Sequence, residues 1–199
     1  MAKATWAQVS PMSGTGNDIL AFSAPEHTGR SVRTTVAIVA TTTEPAISRQ
    51  VSVQQAALAE FVSGSASYNV SAATKKITIT GESNAAKLNF TTTSSNLSIP
   101  TTYTANGASA TNNTAIPNDP GSTAKYAWSI EVTIPENLTI QQKSFAMTVT
   151  TGSGKTLTIS IVQQAAPANI NLVAESVTVD DTGTTVTVNL TSNADWRII

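Results

Sequence analysis

Val53-Gln54-Gln55-Ala56-Ala57 returns as Val162-Gln163-Gln164-Ala165-Ala166, 109 residues further along the chain. The same offset continues without a gap. Phe61 falls on Ile170, Val70 on Val179, and Ile77-Thr78-Ile79 on Val186-Thr187-Val188. Ser83-Asn84-Ala85 lands on Ser192-Asn193-Ala194, so about 30 residues recur in register. Self-similarity at a fixed offset marks repeated structural units, and here it sets the reading of everything around it.

Around the repeat the pattern is strand after strand. Ile77 and Ile79, Leu88 and Phe90, and Ile130, Val132 and Ile134 alternate with polar neighbours. Val36-Ala37-Ile38-Val39, Phe145/Met147/Val149, Ile159/Ile161, Val177/Val179 and Val186/Val188/Leu190 extend the series. Period-two alternation buries one face of a strand and wets the other. Turn residues punctuate it at Ser13-Gly14-Thr15-Gly16-Asn17, Gly152-Ser153-Gly154 and Asp181-Thr182-Gly183. The fold class that follows is all-β: tandem immunoglobulin-like antiparallel β-sandwiches.

Three units are expected. Residues 58–166 form a complete sandwich with an inserted loop near 101–125, rich in Asn, Thr, Pro and Gly, which reads as a contact surface or a mobile segment. Residues 1–57 lack the opening strands of that unit, and residues 167–199 hold only those strands. Half a sandwich exposes an apolar face and open strand edges, so the halves are expected to complete each other, within one chain or between neighbours. The competing expectation is a longer chain with further repeats beyond Ile199.

Composition narrows the function classes. Hydrophobic residues make up 40% of the 199, enough for packed cores, while charged residues are only 12%. Thr, Ser, Asn and Gln fill the difference, and Thr suits exposed sheet faces. A net charge of −1 supplies no basic field for nucleic acid, and that partner is excluded. Without cysteine there is neither a disulfide nor a thiolate zinc site. No run approaches the ~20 apolar residues of a membrane helix, so no membrane insertion is expected. Met1-Ala2-Lys3-Ala4-Thr5-Trp6 has no apolar signal core, which predicts a chain made without an export tag unless a leader has been removed.

No catalytic or metal constellation emerges, and no enzyme or cofactor is expected. Gly152-Ser153-Gly154-Lys155-Thr156 resembles the end of a phosphate-binding loop, but Val149 stands where the first glycine is needed and a strand follows instead of a helix. A hairpin turn is the better reading. His27 is the only histidine and reads as a surface loop residue. Asp180 and Asp181, as adjacent residues, diverge and belong to a turn. Six Asn-x-Ser/Thr triplets, at Asn69, Asn89, Asn96, Asn112, Asn137 and Asn189, are what a chain rich in Asn and Thr contains by chance.

Trp6, Trp128 and Trp196 each sit in an apparent strand and are assigned to sandwich cores, because a chain with 5% aromatics needs them there. Tyr103 and Tyr126, bracketing the insertion, are the candidates for sugar contact. Trp6 and Trp196, with Val186 and Val188, are the candidate assembly residues.

Trp6-Ala7-Gln8-Val9-Ser10, Ser13-Gly14-Thr15-Gly16-Asn17, Arg33-Thr34-Thr35-Val36-Ala37-Ile38 and Val51-Ser52-Val53-Gln54-Gln55 together resemble the BACON domain, the Bacteroidetes-associated carbohydrate-binding immunoglobulin-like module. The resemblance covers 5–57 and 167–197 and weakens in the middle unit, which lacks the Gly-x-Gly-Asn turn. It implies an immunoglobulin-like spacer, or a module binding glycan or mucin. Such modules are carried by exported proteins of gut bacteria and by crAss-like bacteriophages. The leading expectation is therefore a virion structural protein, a head fibre or auxiliary capsid protein, partnered by other capsid proteins and by copies of itself. The alternatives are a carbohydrate-binding or adhesion module at the bacterial surface or in the periplasm, and a non-binding linker of a larger enzyme.

Overall fold

The computed structural model describes residues 3–199, so the first two residues of the 1–57 unit lie outside the described residues. The first unit holds β1 (Gln8–Ser10), β2 (Ala21–Ser23), β3 (Arg33–Ala40) and β4 (Ser48–Gln55). The central unit opens with β5 (Val62–Gly64), β6 (Ser67–Val70), β7 (Lys76–Ser83) and β8 (Leu88–Thr92). It continues with β9 (Thr102–Ala105), β10 (Ala108–Thr111), β11 (Tyr126–Thr133), β12 (Lys143–Thr151) and β13 (Thr156–Gln163). The last unit carries β14 (Ile170–Leu172) and β15 (Leu190–Ser192).

The central unit is a two-sheet sandwich. One sheet runs β10-β9-β11-β7-β5 and the other β6-β13-β12-β8. All pairings are antiparallel except β6 with β13, where Ser67–Val70 run parallel to Ser160–Gln163. Alternation places the core directly. Tyr126, Trp128, Ile130 and Val132 of β11 point inward while Ala127 and Glu131 face out. Ile79 lies opposite Ile130, and Met147 opposite Ile159, so apolar pairs stack along each sheet before the two faces meet. Phe90 lies edge-on to Trp128 at 5.5 Å and tilted against Tyr103 at 4.8 Å. Gly81 pairs with Trp128, and a Cβ there would come within 2.5 Å of the indole and 2.0 Å of the Ser63 carbonyl oxygen. Only glycine lets the ring lie across that strand.

The expected loop at 101–125 is instead part of the fold. Asn106 and Gly107, with φ of 50° and 77°, make a two-residue turn with both central residues left-handed, the geometry that matches strand twist. The resulting β9–β10 hairpin joins the sheet through β11, pairing Ala105 with Trp128. It brings Tyr103, Ala105 and Ala110 into the core, and Ile116 follows from the next loop. The polar composition of the insertion hid this, because its apolar residues are few and mostly small.

The end units are thin. β1 pairs with β2, and β3 with β4 along an eight-residue ladder. Ala7 and Ala37 are their only buried apolar residues among those described. In the last unit β14 pairs with β15, and the strands expected around Val177–Val179 and Val186–Val188 are not formed. A short hairpin without a facing sheet cannot hold further strands in register. Trp6 lies in a turn ahead of β1, and Trp196 lies outside any strand. Among the described residues no ladder joins the first unit to the last.

Within the Val-Gln-Gln-Ala-Ala phrase the ladders are offset by one from the sequence repeat. Gln55 pairs with Arg33, and Gln163, rather than Gln164, pairs with the equivalent Lys143. β13 thus has one more residue between its last ladder position and the linker.

Candidate functional site: the joints between units

The densest polar construction in the molecule lies where the first unit meets the central one. Asn84, just past β7, is fully buried. Its Oδ1 accepts from the Phe61 N–H at 3.0 Å. Its Nδ2 donates to the carbonyls of Thr28 and Ala59 at 3.2 Å and lies 3.4 Å from that of Leu58. One side chain therefore ties the preceding unit, the linker and its own domain together. Ser83 and Ala85 hold it in place: Ser83 Oγ donates to the Phe61 carbonyl at 2.6 Å and accepts from the Ala85 N–H at 3.0 Å.

Residues 28–31 dock onto the loop 119–125 by backbone. The Arg30 N–H donates to Gly121 O at 3.0 Å, the Ser31 N–H to Ser122 O at 2.9 Å, and the Leu58 N–H to Gly29 O at 2.9 Å. Two glycines permit the approach. A Cβ on Gly29 would meet the Thr123 carbonyl carbon at 2.4 Å, and one on Gly121 would meet the Asn84 carbonyl oxygen at 2.0 Å. Arg30 closes the joint, donating through Nε to Asn84 O at 3.0 Å and through Nη2 to the Asp119 carboxylate, with Glu60 at 3.8 Å.

Glu60 locks the linker to the central unit. Its Oε1 accepts from the Ala86 N–H at 3.2 Å and its Oε2 from the Ser153 N–H at 2.7 Å. Burial works to raise its pKa, but these hydrogen bonds to the charged form outweigh it and hold the carboxyl below its ordinary 4.5. The sequence that resembles a phosphate loop is thus a hairpin turn between β12 and β13, with Gly154 at φ 85°, and its free amide is taken by Glu60. Because the folded pKa is lowered, the unfolded chain binds more protons as pH falls through this range. The stabilisation from Glu60 is present above about 4.5 and lost below it as pH drops through the folded value. Thermal unfolding followed against pH is expected to show a weaker acid-side decline in Glu60→Gln than in the wild type; an identical acid limb would assign that decline to other carboxylates.

The second joint repeats the first. Asn193 Nδ2 donates to Pro167 O at 2.9 Å and Leu138 O at 3.2 Å, and its Oδ1 accepts from the Asn169 N–H at 2.8 Å. Pro167 matches Leu58, and Leu138 occupies in front of β12 the place that Thr28 occupies in front of β3. Ser192 Oγ again accepts from the following N–H, that of Ala194, at 3.1 Å. Pro167 has no N–H to give, and Ala166 donates instead to Thr139 O at 2.8 Å, as Leu58 does to Gly29 O. Ile140 stands where the first joint has Arg30, and Asn193 is only half-buried.

The candidate residues read from the sequence are not gathered at these joints. Trp6 is half-buried beneath the Arg33 guanidinium, 4.6 Å from the ring centre. Trp196 is 57% exposed and Val186 44% exposed, with Val188 half-buried. Trp128 is the core tryptophan. Tyr103 and Tyr126 do not offer sugar contacts, since both are buried. The Tyr126 hydroxyl donates to Ala85 O at 2.9 Å, and burial holds its phenol well above the ordinary value. Tyr103 is carried inward on β9 of the hairpin, and Tyr126 is an inward position of β11. Asn84, Asn193, Gly29, Arg30 and Glu60 escape a reading by chemistry-bearing motifs. The recurring Ser-Asn-Ala tripeptide is the signal that marks two of them.

No protein-family model matches the chain, and no curated protein matches it. Among solved structures it is similar to domains 4 and 5 of the S-layer protein SbsC, with a TM-score of 0.35 and 11% identity over 67% of this chain and 58% of that one. It is similar to a protein from Bacteroides thetaiotaomicron solved by NMR, with a TM-score of 0.29 and 16% identity over 55% of this chain and 91% of that one. Zebrafish RET cadherin-like domains 1 to 4 give a TM-score of 0.38 and 11% identity over 80% of this chain and 41% of that one. The chain spans less than two thirds of the SbsC and RET structures. The immunoglobulin-like sandwich itself stands on the strand pairing and the two-sheet core.

Proposed function

We propose that this chain is a non-catalytic structural and adhesive array, serving as a head fibre or capsid-decorating protein in the virion of a bacteriophage that infects gut Bacteroidetes. The observation that carries the structural part is the joint built twice by the same tripeptide. Bonded polar groups at a junction, buried at the first joint and half-buried at the second, fix the angle between units, which a spacer needs and a freely linked binding module does not. The phage assignment draws on the BACON-like motifs in 5–57 and 167–197, together with low charge and the lack of cysteine. Its partners in this reading are other capsid proteins and copies of itself.

One observation favours a second reading, a surface adhesion module: the indole of Trp196 is largely exposed and could stack on a sugar. Antibody raised against the chain, applied to virions and to cell envelopes from the producing culture, separates the two. Gold labelling of particles is the expected result. Labelling confined to envelopes, with mucin binding that disappears in Trp196→Ala, would replace the virion assignment with the adhesion module.

A further inference from the structure

We propose that residues 167–199 of one copy complete the 3–57 unit of the next, linking chains head to tail. The proposal deepens the structural reading above and rests on it.

The acceptor is an open core. Between the β1–β2 pair and β3 lies a groove of about 690 Å³ whose apolar lining includes Val9, Met12, Leu20, Phe22, Ala37 and Val39, with Lys3 and Asp18 also on its wall. Comparison with the central sandwich shows what is missing. Ladder for ladder, β3 and β4 correspond to β12 and β13, so Val39 corresponds to Val149. Val149 is fully buried, whereas Val39 is 45% exposed. In the central unit β8 pairs along the outer edge of β12 and β6 along that of β13. Both edges of the β3–β4 ladder are unpaired among the described residues. The side chains that close the central core from the opposite sheet and from β8 include Ile77, Ile79, Leu88 and Phe90.

The donor carries the matching pattern. Residues 167–199 repeat 58–90 in register, so Val179, Val186, Val188 and Ile199 stand at the positions of Val70, Ile77, Ile79 and Phe90. Ile77 is 5% exposed in its packed setting, and its counterpart Val186 is 44% exposed. One segment holds strand-forming side chains with nothing to pack against. The other holds a groove walled by apolar side chains of β1, β2 and β3. Strand addition to an open sheet edge would supply main-chain hydrogen bonds, and the alternating side chains would set the register.

The placement of the joints decides between self-closure and exchange. The first joint lies at the Ser83 end of β7, through Asn84. The second lies at the Lys76 end, where the Asn137 N–H, beside Leu138, donates to Ala72 O. The eight residues of β7 span roughly 25 Å at ~3.3 Å per residue. A whole sandwich therefore separates donor from acceptor in one chain. The contact is heterologous, and repeated from copy to copy it links chains head to tail, into a ring where the rotation per step closes and a filament where it does not. Each completed hybrid unit would be clamped by Asn193 in front and by Asn84 of the next copy behind.

The test uses two variants of the full chain. Val186→Asp places a charge on the donor and Val39→Asp one in the acceptor, at positions exposed enough to tolerate it in the free chain. By light scattering over about a hundredfold range of concentration, wild-type mass is expected to climb past two chains. Each variant alone should stay at one chain, 20.6 kDa. Mixed one to one, the intact groove of the first should take the intact donor of the second and stop at two chains. That recovery also shows that both variants are folded. A wild type that remains at one chain throughout overturns the proposal, and so does a mixture that stays monomeric while wild type assembles. Neither outcome touches the gold labelling of virions, so failure of the linkage and failure of the virion reading are separately visible.

Discussion

Truncating Trp128 to alanine is expected to destabilise the central sandwich by about 3–5 kcal/mol, a large share of the ~5–15 kcal/mol available to a domain. The ring is 2% exposed and fills the space between Gly81 on its own sheet and Phe90 on the facing one. Neither neighbour can close the cavity. Gly81 has no side chain to offer, and Phe90 is already held against Tyr103. Trp128→Phe is expected to cost much less, for a reason beyond size: the indole Nε1–H is buried without an acceptor, so the native residue carries a penalty that phenylalanine removes. Urea unfolding followed by far-ultraviolet circular dichroism gives both numbers. A loss under about 1 kcal/mol in the alanine variant would mean that the core is held elsewhere.

Asn84→Ala is expected to have the second largest effect, about 1–3 kcal/mol for the groups it leaves unpaired, and to release the first unit from the central one. The Phe61 N–H and the carbonyls of Thr28 and Ala59 lose their partner in a site closed to water. The equivalent Asn193→Ala should cost less than Asn84→Ala, because Asn193 is half-buried and water can replace it. Gly29→Ala separates the two consequences. Its methyl group collides with the Thr123 backbone at 2.4 Å, so it should undock residues 28–31, taking only the Thr28 carbonyl from Asn84 and leaving its bonds to Phe61 and Ala59 and the central core in place. Limited proteolysis is the readout: faster cleavage in the linker 56–60 for Asn84→Ala and Gly29→Ala, with unfolding shifted strongly only in the first. Unchanged cleavage in both would mean that the first unit is not fixed by this joint.

The difference between the two asparagines illustrates how function and stability divide in this molecule. The same tripeptide makes related bonds at both joints, its asparagine oxygen accepting from Phe61 at the first and from Asn169, the counterpart of Glu60, at the second, but Arg30, Glu60 and Asp119 surround only the first. Surface ion pairs elsewhere, such as Lys76 with Glu131 and Lys125 with Glu82, join exposed side chains and contribute little. Rigidity at the first joint comes from buried hydrogen bonds at close backbone approaches together with the charged bonds of Arg30 and Glu60, while the exposed pairs add little.

The sequence by itself determined the long strands of the central sandwich outside 101–125, their inward residues and the repeat that relates the units. Alternation is a local property, and Ile77, Ile79, Ile130, Val132, Met147 and Val149 announce it without reference to any neighbour. Scarcity of aromatics assigned all three tryptophans to cores, and this holds for Trp128 alone, since Trp6 is half-buried and Trp196 is exposed. Only the tertiary structure decided the rest. Asn106-Gly107 turned a polar stretch into a hairpin that buried Tyr103 against Phe90, because the edge of β11 was there to receive it. Val177 to Val188 have strand-forming residues and no strands, because a strand needs a partner that this part of the chain does not meet. Asn84 looks like any other polar residue until folding brings Thr28 and residues 58–61 within reach of its amide; burial and convergence are properties of the assembled chain, and no local pattern carries them.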